Sequence, residues 1–281
     1  MAPSGPVDPS GPDLRDLALT AARDAGQLLL DALFTERTVD TKSSPTAMVT
    51  EMDRAAEARL VDLRRLARPD DGILGEEGAA VDGSSGLRWV IDPLDGTTNY
   101  LYRLPGWNVA VGVERAGIAV AGAVVSPATG DAFAGAIGSG SSWNDHPLDA
   151  GRRPVATSLR STLAGTGFNY AEHVRAEQGA QLTALVPRVR DIRRFGAAAF
   201  DLCNVAAGRL DAYFETGLAP WDRCAGTAIA RAAGIHVLHT DDHPLPGRLT
   251  LAAHPDRWDE WWDALVELGI VEADARPCAD P

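Results

Sequence analysis

Three short segments concentrate carboxylates beside residues that favour tight turns: ILGEEG at 73–78, WVIDPLDGTTNY at 89–100 and PWDRCAGT at 220–227. The middle one is the most informative. Trp89-Val90-Ile91 reads as a buried strand, which puts Asp92 at that strand's carboxyl end, where ligands of α/β folds gather. Pro93 biases Asp92 to extended backbone and removes a donor, and Asp95-Gly96 turns the chain. A turn of this length aims Asp92 and Asp95 at one point, with the Leu94 carbonyl between them. Three hard oxygens so placed suit a divalent cation. A helix or nest of amides opening at Gly96, Thr97 and Thr98 would present N–H groups to a phosphate.

Each acid also has a plainer reading. Asp-x-x-Asp-Gly is by itself a polar turn, although its place behind a buried strand and before Gly-Thr-Thr-Asn favours chemistry. Glu76-Glu77 is by itself a solvated pair. Asp222, where a helix opens after Trp221, reads equally as an N-cap. Asp53 reads as the acidic member of a T-x-x-D capping box with Thr50, and Lys42 as a surface lysine. Cys203 to Arg209 has the C-x5-R form of cysteine phosphatases, but it lies in an Ala-rich helical pattern where no loop of amides would activate a thiolate. Asp-Pro-Leu-Asp is one residue too long for the Asp-x-Asp of haloacid-dehalogenase-type phosphatases. The six histidines form no metal or triad pattern.

The elements that must hold these residues follow from periodicity. Leu14, Leu17, Ala21, Ala25, Leu28 and Leu29 recur at helical spacing and predict a helix over 13–34. A second helix is expected from Thr50 through Leu66. Strands are expected at 87–92, 107–114, 117–125, 131–136, 191–195, 211–216 and 235–239. Helices are expected at 172–188, 197–208, 222–233 and 254–268, the last with Trp258, Trp261 and Trp262 on its packed side. Two helices, a run of antiparallel-type strands and then alternating α and β predict a layered α/β sandwich. Residues 13–270 are expected to form one compact domain, in two halves meeting near 150. Residues 1–12 and 271–281 are expected to be tails.

Lys and Arg number 26 against 39 Asp and Glu, a net charge of −13 across 281 residues. That balance argues against nucleic acid, whose phosphates need a basic face. No apolar run approaches the roughly 20 residues of a membrane span. The Pro- and Gly-rich start lacks a signal peptide's charge and apolar core, and three scattered cysteines make no disulfide framework. A cytoplasmic protein is expected.

Taken together, the three acidic segments resemble the defining motifs of the inositol monophosphatase family of Mg²⁺-dependent, lithium-sensitive phosphatases. Residues 193–222, RRFGAAAFDLCNVAAGRLDAYFETGLAPWD, are similar to its long C-terminal signature. The resemblance runs from about 13 to 268 and implies an αβαβα sandwich. It implies that Glu76, Asp92 and the Leu94 carbonyl hold one Mg²⁺, and that Asp92, Asp95 and Asp222 hold a second. A third, weaker ion is implied near Glu76. Thr97 and Glu76 would activate the attacking water, with Asp53 paired to Thr97. Gly96, Thr97 and Thr98 would hold the phosphate, while Glu215 and the backbone at Ala198 would contact the substrate. Glu77 and Lys42 would support the site.

The implied reaction is direct attack of an activated water on a phosphomonoester, with no phosphoenzyme. The Gly-Thr-Thr-Asn-Tyr run and Glu215 look more like the inositol branch than the histidinol-phosphate branch, so myo-inositol 1-phosphate is the expected substrate, with histidinol phosphate or another small sugar phosphate the alternative. A homodimer is expected from the same resemblance. Ala47 departs from the pattern, standing where the family commonly has an aspartate, and a raised Mg²⁺ requirement is expected from it. A different class of reading, a non-catalytic regulatory protein on this fold, is disfavoured because all the acids are present. The net charge is compatible with an anionic substrate if bound Mg²⁺ reverses the local sign.

Overall fold

The computed structural model describes residues 10–33, 39–41, 48–240 and 249–271. Lys42, Ala47 and Cys278 lie outside the described residues, as does most of both expected tails. Helix α1 (Gly11–Asp31) starts two residues before the expected helix does. Ser10 and Asp13 close a reciprocal cap there: the Ser10 amide donates to Asp13 at 3.1 Å and the Asp13 amide to Ser10 Oγ at 3.4 Å. A hairpin, β1 (Val39–Thr41) with β2 (Met48–Thr50), leads into α2 (Glu51–Ala67). Then follow β3 (Gly72–Gly75), β4 (Ala80–Val81), β5 (Leu87–Asp95), α3 (Thr97–Leu101), β6 (Asn108–Arg115), β7 (Ile118–Ser126), β8 (Asp131–Ala136), β9 (Gly140–Trp143) and β10 (His146–Leu148). The remainder is β11 (Leu163–Thr166), α4 (Glu172–Leu185), β12 (Asp191–Arg193), α5 (Ala198–Ala206), β13 (Ala212–Thr216), α6 (Pro220–Ala232), β14 (His236–His239), β15 (Leu249–Ala253) and α7 (Trp258–Glu267).

The strands β3 to β10 form one eight-stranded sheet, ordered β10-β9-β8-β7-β6-β5-β3-β4. It is antiparallel except where β3 lies parallel to β5. The second sheet is ordered β12-β11-β13-β15-β14.

Strand alternation assigns the layers. Leu87, Trp89 and Ile91 of β5 and Val109, Val111 and Val113 of β6 pack against α1 and α2. The intervening Val90 meets Cys224 and Ala228 of α6, and Ala110 joins the core under α5 and α6. In the second sheet Tyr213 and Ala252 face α5 and α6. Ala212, Phe214 and Leu251 face the other way, onto Leu185 of α4 and Trp261, Trp262 and Leu265 of α7. The order is helix, sheet, helix, sheet, helix, the αβαβα sandwich expected.

Cys203 lies inside α5 and is fully buried, and burial pushes its thiol well up. Its C-x5-R run is therefore helix and the turn that ends it, not an anion-binding loop. Trp261 and Trp262 are core residues. Among the described residues no helix is long and apolar enough to cross a membrane.

Candidate active site

The expected strand at 87–92 extends to Asp95, and the extension is what shapes the site. Asp92 faces Ala110 of β6 and Asp95 faces Asn108, so β5 spends three steps where β6 spends two. This bulge absorbs Pro93, which could not donate to a regular ladder. It also brings the Leu94 amide onto Asp92 Oδ1 at 3.0 Å. Next, Gly96 takes a left-handed conformation (φ 82°) as N-cap of the five-residue α3. A side chain there would also meet the Gly106 carbonyl and the Trp107 backbone. Thr97 Oγ1 donates to the Leu94 carbonyl at 3.0 Å. The Tyr100 amide donates to the Gly96 carbonyl at 3.1 Å, and the first amides of such a helix have no carbonyl of a preceding turn to take them.

Other elements bring the remaining acids to the bulge. Asp53 is 1% exposed on α2. The pair Glu76 and Glu77 follows β3, whose parallel pairing sets Gly75 beside Ile91. The Glu76 amide reaches the Ile91 carbonyl at 3.3 Å. Asp222 is not the N-cap, because Pro220 opens α6. From the helix's third position its carboxylate accepts the Ala219 amide at 2.7 Å. Glu215 is the penultimate residue of β13 and accepts the Tyr213 hydroxyl. Ala198 is the first residue of α5, and the next amide, Ala199, donates to Asp95 Oδ2 at 3.0 Å. Of the expected site residues only Lys42 cannot be placed.

The electrostatics show that these acids share one place. Burial pushes Asp92 well above the usual carboxylate range, and the charges of Glu76, Asp95, Asp222 and Asp53 push it further. Asp95 is raised to about 7, chiefly by burial, against the downward pull of Asn108 and the Ala199 amide. Asp222 is raised by burial and then by Asp95, and Glu215 by burial against Tyr213 and Arg194. Among the described residues no three such side chains form a closed metal cage. The donor set nevertheless fits a hard divalent cation. It is carboxylate oxygen with one backbone carbonyl, half or fully buried, and the named charge neighbours of Asp92 are all acids.

Several supporting residues had no signal in sequence spacing. Asn108, fully buried on β6, donates to Asp95 Oδ2 at 3.0 Å. Asn99 of α3 donates to the carbonyls of Gly106 and Phe195. It thereby ties the loop after α3 to the segment leading into α5. Tyr213 donates to Glu215 from two residues earlier on the same strand, and Glu57 acts from α2.

Carboxylates and a backbone carbonyl gathered beside the first amides of a helix, in a five-layer α/β sandwich, suit a site for cations and phosphate. The sequence profile of the inositol monophosphatase family matches residues 13–268, and the chain belongs to that family. It is 43% identical over 244 residues to the inositol-1-monophosphatase SuhB of Mycobacterium tuberculosis, covering 83% of each. It is 37% identical over 222 residues to the Nus factor SuhB of Escherichia coli K12, covering 78% of this chain and 82% of that one. Among solved structures, the extragenic suppressor protein suhB of Bartonella henselae superposes with a TM-score of 0.82 at 31% identity, over 90% of this chain and 98% of that one.

Proposed function

We propose that this chain is a Mg²⁺-dependent phosphomonoester hydrolase acting on myo-inositol 1-phosphate. The observation that carries the reading is the cluster of buried Asp53, Asp92 and Asp95 with half-buried Glu76 and Asp222, in which the other four charges add to burial in raising Asp92. Such a cluster costs stability unless a cation joins it. The 43% relative named inositol-1-monophosphatase supports the substrate. Glu76, Asp92 and the Leu94 carbonyl would hold one Mg²⁺, and Asp92, Asp95 and Asp222 a second. Bound there, the ions would supply charge neutralisation at the phosphoryl oxygens and a nucleophile available near neutral pH.

The chain's own groups do the rest. The first amides of α3 and the Thr98 hydroxyl receive phosphoryl oxygens. Thr97, anchored through Leu94, and Glu76 orient the attacking water, and Glu76 takes its proton. As the new P–O bond forms, the ester P–O bond opposite breaks, and the alkoxide takes a proton from solvent. Glu215, held by Tyr213, accepts a polyol hydroxyl, and the backbone at Ala198 lines the same side. The exposed Tyr102, Leu104 and Phe195 beside this region suit burial in a homodimer. A cytoplasmic setting agrees with these assignments.

The test is phosphate release from myo-inositol 1-phosphate, histidinol phosphate and a generic aryl phosphate at rising Mg²⁺. We expect the inositol ester to have the highest kcat/KM. Asp92→Asn should lower the rate by about 10³, the rate equivalent of several kcal/mol of lost metal assistance. Activity that survives this substitution rejects the site. The relative named Nus factor supports a second reading, a regulatory protein on this fold. No phosphate release from any ester would favour it.

A further inference from the structure

We infer that Glu57 is the positioning residue for Glu76: its carboxylate locks the turn that carries Glu76 and so sets the affinity of the first Mg²⁺. The inference rests on the proposed role of Glu76 as a metal ligand.

Glu57 lies one helical turn after Asp53 on α2, on the same face, and is 7% exposed. Its Oε2 accepts the Glu77 amide at 2.8 Å and its Oε1 accepts the Ala79 amide at 3.0 Å. Both oxygens are therefore engaged by backbone on the two sides of the turn. The turn is closed across its base by the Gly75 amide, which donates to the Ala79 carbonyl at 2.7 Å. It is tied to β5 by the Glu76 amide. Gly75 has no side chain, and a Cβ there would overlap the Glu57 carboxylate. Arg54, on the same helix, stands 3.9 Å from the Glu77 carboxylate. Helix α2 thus grips this turn at two backbone amides and one side chain while presenting Asp53 to the site.

Stability alone does not explain the choice of residue. A third carboxylate buried beside Glu76 and Glu77 adds repulsion, and burial raises its pKa despite the two amides. A ligand held rigid before the cation arrives does explain it, since groups that orient metal ligands govern affinity almost as the ligands do.

The experiment compares the full chain with Glu57→Gln, Glu57→Ala and Glu76→Gln. Mg²⁺ binding is measured by calorimetry, rate against Mg²⁺ on myo-inositol 1-phosphate, and amide exchange over 75–79 without metal. Glu57→Gln keeps shape but loses one acceptor. We expect it to weaken the tighter Mg²⁺ by about 10-fold, with kcat at saturating Mg²⁺ nearly unchanged and faster exchange at Glu77 and Ala79. Glu57→Ala should weaken it further. Unchanged affinity in a folded Glu57→Gln, while Glu76→Gln loses the tighter ion, overturns the inference alone. Unchanged affinity in Glu76→Gln overturns the ligand role on which it rests, and the inference with it.

Discussion

Asp95 has its Oδ2 held by two donors, the Asn108 side chain and the Ala199 amide, each at 3.0 Å. The first comes from the next strand of the same sheet and the second from the helix layer below, so the carboxylate is fixed before any ligand arrives. A buried acid that loses a donor bears its desolvation with one partner fewer. Asn108→Ala should therefore destabilise the chain by about 1–3 kcal/mol, read as a lower urea midpoint without metal. A midpoint equal to the parent's would mean that Asn108 does not support Asp95. Asp92 and Asp95 were legible in the sequence because Pro93 and Gly96 punctuate them and an apolar run precedes them. Asn108, Tyr213 and Glu57 were not. Asn108 and Glu57 are ordinary polar residues in their own elements whose work lies across contacts that only the folded chain creates, and Tyr213 gives no sign in sequence that its hydroxyl turns onto Glu215 of the same strand.

At the scale of elements, long periodic segments were readable and short ones were not. α1, α2, β5, β6, β7 and α6 carry their apolar residues at helical or strand spacing. β3 is GILG, with glycine at both ends, β9 is Gly-Ser-Ser-Trp, and β10 is a polar edge strand containing Pro147, so no alternation marks them. β3, β4, β9 and β10 extend a sheet already defined, whereas β11 and β15 lie between the expected β12, β13 and β14 and join them. The reach of β5 to Asp95 was missed because a proline suggests an end, whereas a bulge accommodates it.

β14 supplies a further prediction. His239 is held between Thr227 at 2.9 Å and Thr250 at 3.0 Å. Burial, then Arg223 and Arg231, push its pKa well below the usual histidine value. The folded state thus prefers neutral imidazole. Its contribution is fully present above the unfolded pKa of about 6.5 and is lost as pH falls through that value. Between pH 7 and 5 the parent should lose more stability than His239→Gln. Parallel curves would remove His239 from the pH response.

Over the whole molecule, the acid cluster draws on every layer but the outermost helices of the second sheet. Asp53 comes from the outer helix layer, Glu76, Asp92 and Asp95 from the first sheet, Asp222 from the central helices and Glu215 from the second sheet. With a net charge of −13 there is no surplus of cations to offset them, so the chain should trade stability for metal affinity. Asp92→Asn removes the charge most pressed by its neighbours. Without metal, its Tm should rise by about 2–4 °C for each 1 kcal/mol of repulsion relieved. Mg²⁺ should raise the parent's Tm beyond what NaCl of equal ionic strength does, because a ligand that binds only the native state stabilises it. That increment should shrink sharply in Asp92→Asn. The two effects have opposite signs in one variant, so general loosening of the fold cannot imitate them: it would lower the metal-free Tm. A metal-free Tm that falls, with the Mg²⁺ increment intact, would mean that Asp92 belongs to the structure and not to the cation.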